Sequence, residues 1–262
     1  KKFRASSMTE EVFVHLTAQM KEHEDRFKEL FGSNDTIVLL IESDDVFKPK
    51  VLKMIKEIGS ELLEKVPYAD SVTSITDIDI SVGTEEGIEI KNPFKDGIPE
   101  DAAELKKAKD FVLSRKSIVN KLVSSDAKET WLVLSLKATP SKEEWMKTSD
   151  KELMYIMGET AIDIVTNPKY KSSAYTLKPA GLPYTETEEK IVMNADIKKC
   201  VSLSFMCMII LLVIFARSLR GTIVPIIATT GAIVSVLGFM GHLNIEGSSE
   251  MLSVPIILAM AL

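Results

Sequence analysis

The chain has 262 residues, of which 27% are charged and 45% hydrophobic, and its formal net charge is −6 at pH 7. An acidic chain in which no basic patch is interleaved with aromatic residues is not expected to bind nucleic acid. Almost all of the charge lies before Lys199, and Ile, Leu, Val, Ala, Met and Gly dominate the remainder. This division indicates an aqueous environment for the first part and a lipid environment for the second.

The first part of the chain predicts a strand–helix–strand unit after an N-terminal amphipathic helix at residues 10–31. The continuous apolar run at residues 36–41 is typical of a buried strand. A helix is predicted at residues 49–65 because apolar residues recur there at helical spacing, and a strand follows at residues 71–76. The apolar stripe of this helix is Val51, Ile55, Ile58 and Leu62.

The same order of elements appears again later in the chain. The second unit consists of a strand at residues 130–136, a helix at 149–166 and a strand at 174–177. Residues 77–128 are inserted between the two units and hold a Gly- and Pro-rich loop and a helix that begins near Pro99. Two such units predict a split βαβ, ferredoxin-like sandwich of the α+β class over residues 1–184.

The rest of the chain predicts membrane spans. Residues 200–216 carry no charge and meet the lower limit of about 17 residues for a spanning helix. Buried helices of a large soluble core are the alternative, which two consecutive uncharged runs disfavour. We therefore expect a linking amphipathic helix at 185–199 and a transmembrane region at 200–262. The predicted spans are 198–217, 222–243 and an unfinished third at 252–262, so that the chain is expected to be a fragment.

The short segment between the first two predicted spans is basic and indicates their orientation. Arg217 and Arg220 lie in it, and the excess of positive charge on the cytoplasmic side of membrane proteins predicts a cytoplasmic loop there. The α/β domain would then be extracytoplasmic. Lys198 and Lys199 oppose this orientation, because they place positive charge at the other end of the first span.

The second predicted span carries small residues at steps of three, four and three. Such stripes let helix backbones approach closely in lipid. The stripe predicts a helix-packing face, and either a sliding contact of a transporter or a static helix contact would account for it. Its residues are Ala228, Gly231, Ser235 and Gly238.

Residues that could carry chemistry are few. His15, His23 and His242 are too scattered for a metal site, and no Ser, Cys or Lys lies in a recognisable nucleophile motif. Cys200 and Cys207 would lie two helical turns apart, too far for a disulfide, and are expected to be small apolar helix residues. The sequence therefore predicts no catalytic residue, no cofactor, no metal and no enzyme activity.

Several short segments, taken in order, resemble the resistance–nodulation–division (RND) superfamily, and in particular its MMPL-type and hydrophobe/amphiphile exporter branches. Residues 31–38 lead into the first strand as in the porter domains of that superfamily, and residues 66–74 resemble its turn into the second strand. Ala180-Gly181-Leu182-Pro183 precedes the helix that would enter the membrane. Residues 215–221 resemble the loop after the second span.

The resemblance implies a porter domain within a secondary transporter that exports lipids or other hydrophobic or amphiphilic molecules with the proton gradient. It implies a multi-pass protein of the cytoplasmic membrane, whose partners are the bilayer and an amphiphilic substrate, and it leaves a homo-oligomer open. The proton relay would lie beyond Leu262, so no relay residue is assigned. Alternatives are a sterol-sensing or receptor-like lipid-binding protein and a protein-export accessory without transport activity.

Overall fold

The computed structural model describes Arg26 and residues 35–84, 87–95, 97–140, 142–149, 151–216 and 219–242. The predicted helix at residues 10–31 and the third predicted span at 252–262 lie outside these residues, apart from Arg26. The chain forms two compact units, one of residues 23–189 and the other of residues 1–22 with 190–262.

Six strands and six helices follow one another along the described part of the chain. The strands are β1 (Thr36–Ser43), β2 (Ala69–Thr73), β3 (Ile80–Thr84), β4 (Gly87–Lys91), β5 (Glu129–Leu136) and β6 (Tyr175–Ala180). The helices are α1 (Pro49–Lys65), α2 (Ala102–Leu113), α3 (Lys142–Trp145), α4 (Leu153–Val165), α5 (Leu182–Ala216) and α6 (Leu219–His242), with a 3-10 turn at Pro168–Tyr170.

The main sheet has four strands in the order β2-β5-β1-β6, and each neighbouring pair is antiparallel. With α1 following β1 and α4 following β5, this is the order of a split βαβ fold. Strand β1 lies at the centre, where Leu39 is opposite Leu132 on β5 and Leu40 is opposite Lys178 on β6. Alternate residues of β1 point into the core, and the residues of α1 predicted to face the sheet are buried with them.

The inserted segment forms a hairpin and a helix instead of the long loop expected before Pro99. Strands β3 and β4 pair antiparallel with Thr84 opposite Gly87, and every residue of β4 is exposed. Helix α2 begins at Ala102 because the Asp101 carboxylate accepts a hydrogen bond from Glu104 N at 3.2 Å, which caps the first turn. Phe94, fully buried, joins the insertion to the main core.

The predicted transmembrane helices are not found. No helix within the described residues is both long and apolar enough to cross a membrane, so the predicted fold class is wrong in its membrane part. In α5 the first half is charged and polar, and the uncharged run that follows has 17 residues, which is only the lower limit of span length.

Candidate functional site

The chain passes from β6 into α5 through a turn whose backbone conformation strongly favours glycine. Gly181 has φ +108°, in a region that L side chains rarely adopt. A Cβ added there would overlap the carbonyl oxygen of Thr36, at the start of β1. The carbonyl of Gly181 accepts hydrogen bonds from the backbone N–H and the hydroxyl of Thr185, both at 2.9 Å, which begin the helix. Helix α5 thus starts against the backbone of the central strand.

The first turns of α5 also contact α4 at the level of the backbone. A Cβ added at Gly158 would overlap the carbonyl oxygen of Pro183 and the hydroxyl of Thr187. Thr187 is fully buried, and its Oγ1 has no hydrogen-bond partner among the described residues. A buried hydroxyl without a partner costs about 1–3 kcal/mol. The contact between α4 and α5 therefore forms in spite of the free-energy cost of the unpaired hydroxyl. The absence of a side chain at Gly158 makes the contact sterically possible.

Tyr184 lies in the same first turn of α5 as Pro183. Its side chain is buried, and burial, with a smaller contribution from the nearby Glu188 carboxylate, raises the pKa of the phenol. The phenol is therefore neutral throughout the physiological pH range. Gly158, Gly181, Tyr184 and Thr187 together form what we call the α5 junction.

A polar network joins α1 to the segment that follows α4. Tyr170 donates a hydrogen bond from its hydroxyl to Glu61 Oε2 at 2.6 Å, and Lys65 pairs with the same carboxylate. Both hydrogen bonds lower the pKa of Glu61, and the one from Lys65 has the larger effect. Burial, with the hydrogen bond to Glu61, raises the pKa of Tyr170. Lys169 Nζ lies 3.1 Å from a carboxylate oxygen of Glu57 and extends the network along α1.

Replacing Tyr170 by Phe is expected to lower the free energy of unfolding by about 1 kcal/mol at pH 7, because the hydrogen bond to a partly exposed carboxylate is lost. A carboxyl whose pKa is lowered by folding stabilises the fold above its unfolded-state pKa, and this contribution disappears as the pH falls through the folded-state pKa. The cost of Tyr170→Phe should therefore shrink below about pH 4.

Denaturant titrations at pH 7 and at pH 3 measure this difference. Tyr175→Phe is the matched control, since Tyr175 is also buried but has no hydroxyl hydrogen bond within the described residues. An equal loss at both pH values would contradict the role of the Glu61 hydrogen bond.

A second surface lies on the inserted helix α2 and the turn after it. Lys109 anchors this helix, because its Nζ lies 2.6 Å from a carboxylate oxygen of Asp45. The neighbouring cations have no ion pair with any residue that the structure describes. We call this group the basic surface, and it consists of Lys106, Lys107, Arg115, Lys116 and Lys121.

Arg115 is the one member of the basic surface whose side chain is held in place. Its guanidinium carbon lies 4.6 Å from the centre of the Phe111 ring, which is the geometry of a cation–π contact. Its Nε is buried and has no hydrogen-bond partner among the described residues. The carbonyl of Arg115 accepts hydrogen bonds from the N–H groups of Ile118 and Val119, both at 3.0 Å. The charge is thus positioned but not neutralised.

The model of the MMPL family matches residues 14–262, nearly the whole chain. This chain belongs to the MMPL family. The match confirms the resemblance to the MMPL-type branch of the RND superfamily, which several short segments of the sequence show when they are taken in chain order. MMPL-family proteins are membrane proteins, and the family is associated with the transport of lipids and other hydrophobic molecules. A comparison with curated proteins found none that matches.

The predicted helix-packing face of this MMPL-family chain lies in α6, and its four residues are exposed. Apart from the chain neighbours and the nearby backbone of α6 itself, no atom of the described residues lies within 4 Å of a Cβ added at Gly231 or Gly238. Ser235 donates its hydroxyl hydrogen bond to the carbonyl of Gly231 at 2.8 Å, within the same helix. The packing role of Ala228 and its three companions therefore stays a prediction.

The other predicted residues are dispersed. Arg217 lies outside the described residues and Arg220 falls in the first turn of α6, so the predicted cytoplasmic loop stays a prediction. Cys200 and Cys207 lie exposed in α5 with free thiols. His242 is the last residue of α6, and no cluster of His, Cys, Asp and Glu within the described residues could hold a metal ion.

Sequence reasoning missed most of the α5 junction and all of the basic surface. Gly158 offered a signal, because a glycine inside a predicted helix commonly has a packing reason. Lys107, Phe111 and Arg115 offered another, since a spacing of four places them along one line of a helix. Thr187 offered none, because its burial depends on the crossing of two helices.

Proposed function

We propose that this chain is part of a proton-gradient-driven exporter of lipids or other amphiphilic molecules in the cytoplasmic membrane, and that it has no enzyme activity of its own. The match to the MMPL family over residues 14–262 carries the proposal, because that family is associated with membranes and with hydrophobic substrates. The proton gradient and the direction of transport are the parts that experiment must establish.

The α5 junction supports a transport role. Gly181 places the start of α5 against β1, and Gly158 places the next turn against α4. A displacement of the sheet or of α4 would therefore displace the first turns of α5, because each contact includes a backbone carbonyl, which cannot move aside as a side chain can. Transport cycles depend on packed elements that move together.

Reconstitution of the complete protein in lipid vesicles tests the proposal. A pH gradient imposed across the vesicle membrane is expected to drive loss of a fluorescent phospholipid analogue from the leaflet or compartment in which it was loaded. A protonophore is expected to abolish that loss, because it removes the driving force without altering the lipid. Vesicles without protein provide the control for spontaneous lipid exchange.

Two outcomes would contradict the proposal. Export that continues after the gradient has collapsed would exclude proton coupling. Saturable lipid binding with no gradient-dependent export would favour the sterol-sensing or receptor-like class, in which lipid is bound and not moved.

A further inference from the structure

Helix α2 and the turn after it have a charge opposite to that of the chain as a whole. Residues 102–121 carry six basic side chains and two carboxylates, Glu104 and Asp110, which is a net charge of +4 against −6 for the whole chain. Within the described residues, Lys109 alone of the six cations has an ion pair. This local excess of positive charge attracts anions over a distance of about 8–10 Å at physiological ionic strength.

Two members of the basic surface and one aromatic residue lie along one line of α2. Lys107, Phe111 and Arg115 follow at steps of four, so that they share one face of α2 and of its extension. Arg115 lies beyond the end of the helix, but Ser114 keeps helical dihedral angles and Arg115 N donates a hydrogen bond to Val112 O at 3.1 Å. Two cations therefore flank a half-buried aromatic ring.

The guanidinium of Arg115 is positioned to bind two oxygens of an anion. The cation–π contact with Phe111, 4.6 Å from the guanidinium carbon to the ring centre, restrains the side chain, and Lys107 is exposed one helical turn from that ring. Arg binds phosphate through two parallel N–H···O hydrogen bonds, and less entropy is lost when the side chain is already restrained. An aromatic ring between the two cations offers apolar contact to the part of a ligand next to its phosphate.

We propose that the basic surface binds the phosphate of an anionic lipid headgroup. Arg115 and Lys107 contact the phosphate, Phe111 contacts the adjoining apolar part of the lipid, and Lys106, Lys116 and Lys121 supply the surrounding positive potential. The proposal rests on the proposed function and deepens it, since it names a phosphate-bearing, net anionic lipid as the substrate class.

Binding of dihexanoylphosphatidic acid to the complete protein in detergent tests this inference without a proton gradient. A single basic residue near an anionic lipid surface contributes an affinity factor of about five, so Lys107→Gln and Arg115→Gln should each weaken binding about fivefold. The double variant should weaken it about 25-fold. Arg115→Lys keeps the charge and loses the planar stack, and should fall between wild type and Arg115→Gln.

Lys171→Gln is the matched control, because it removes one exposed positive charge from a different part of the fold. It should leave the affinity for the lipid unchanged. Raising the salt concentration from 50 to 500 mM should weaken wild-type binding and narrow its difference from the double variant. Each variant is also compared with wild type in its unfolding midpoint. If Arg115→Gln unfolds, Lys107→Gln carries the test, since that side chain is exposed.

Three results would overturn the inference. The first is no detectable binding of the lipid to wild type, and the second is equal binding by wild type and the double variant. The third is equal affinity for inorganic phosphate, which would make the surface a free-anion site. Loss of gradient-driven export with intact lipid binding would contradict the proposed function and leave this inference standing.

Discussion

Gly181→Ala is expected to lower the free energy of unfolding by about 3 kcal/mol or more. Two costs add at this position. A backbone with φ +108° is strained for a residue that has a Cβ, at about 1–3 kcal/mol. The new methyl group would also overlap the carbonyl of Thr36, and overpacking of this kind costs about a further 1–3 kcal/mol. A neighbouring backbone carbonyl in a central strand cannot move aside.

Denaturant unfolding followed by tryptophan fluorescence measures this cost. The chain has two tryptophans, Trp131 on β5 and Trp145 on α3, and both lie in the unit of residues 23–189. Gly97→Ala separates the two costs, because Gly97 has φ +121° but no atom within 4 Å of an added Cβ. If Gly181→Ala lowers the free energy of unfolding by no more than Gly97→Ala does, the overlap with Thr36 contributes nothing to the cost.

Gly158→Ala is expected to cost about 2–3 kcal/mol, although alanine is favoured over glycine by about 1 kcal/mol inside a helix. The substitution is destabilising in spite of this gain, because the added methyl group would overlap the Pro183 carbonyl and the Thr187 hydroxyl. Helix α5 would have to move away from α4 to make room. We therefore expect the variant to weaken the α5 junction, with the same fluorescence measurement as readout.

Gly59→Ala is the matched control for this prediction. Gly59 is also buried inside a helix, but an added Cβ there meets side-chain atoms, Val72 Cγ1 at 3.1 Å and Leu132 Cδ1 at 3.4 Å. Side chains can shift by a few tenths of an ångström, and the gain in helix propensity offsets much of the cost. A similar loss for Gly59→Ala and Gly158→Ala would contradict a special role for the backbone contact at the α5 junction.

The arrangement of the main sheet could be anticipated because each element carries a strong local signal. Residues 36–41 form a continuous apolar run and lie within β1, and residues 130–136 lie within β5. The apolar stripe of α1, from Val51 to Leu62, is buried as its spacing indicates. Two strand–helix–strand units that each need a partner for their apolar face lead to the observed strand order.

The membrane spans were predicted wrongly because absence of charge was treated as sufficient. The 17 uncharged residues of α5 are at the lower limit of span length, whereas a spanning helix commonly has about 20 apolar residues. The hairpin of β3 and β4 was missed for a different reason. Its glycines, Gly83 and Gly87, predict a loop by composition, although glycine is also common in paired strands of a hairpin.

The candidate site was harder to predict than the fold. Gly181 was noted within a short segment, but its contact with Thr36 joins residues far apart in the sequence, and no local pattern reports such a contact. The unpaired hydroxyl of Thr187 was equally hidden from the sequence, because it results from the contact between α4 and α5. The stack of Arg115 on Phe111 depends on the path of the chain after α2, which propensity alone does not determine.

The central position of β1 has a consequence for biosynthesis. The strand is complete at Ser43, but the first of its two neighbours begins at Glu129 and the second at Tyr175. At about 5–20 residues per second, a ribosome needs on the order of 10 s to synthesise the intervening chain. During that interval an apolar strand emerges with both edges unpaired, which is a state prone to aggregation. The inserted hairpin and basic helix lengthen this interval, so the nascent chain needs protection until β5 and β6 are synthesised.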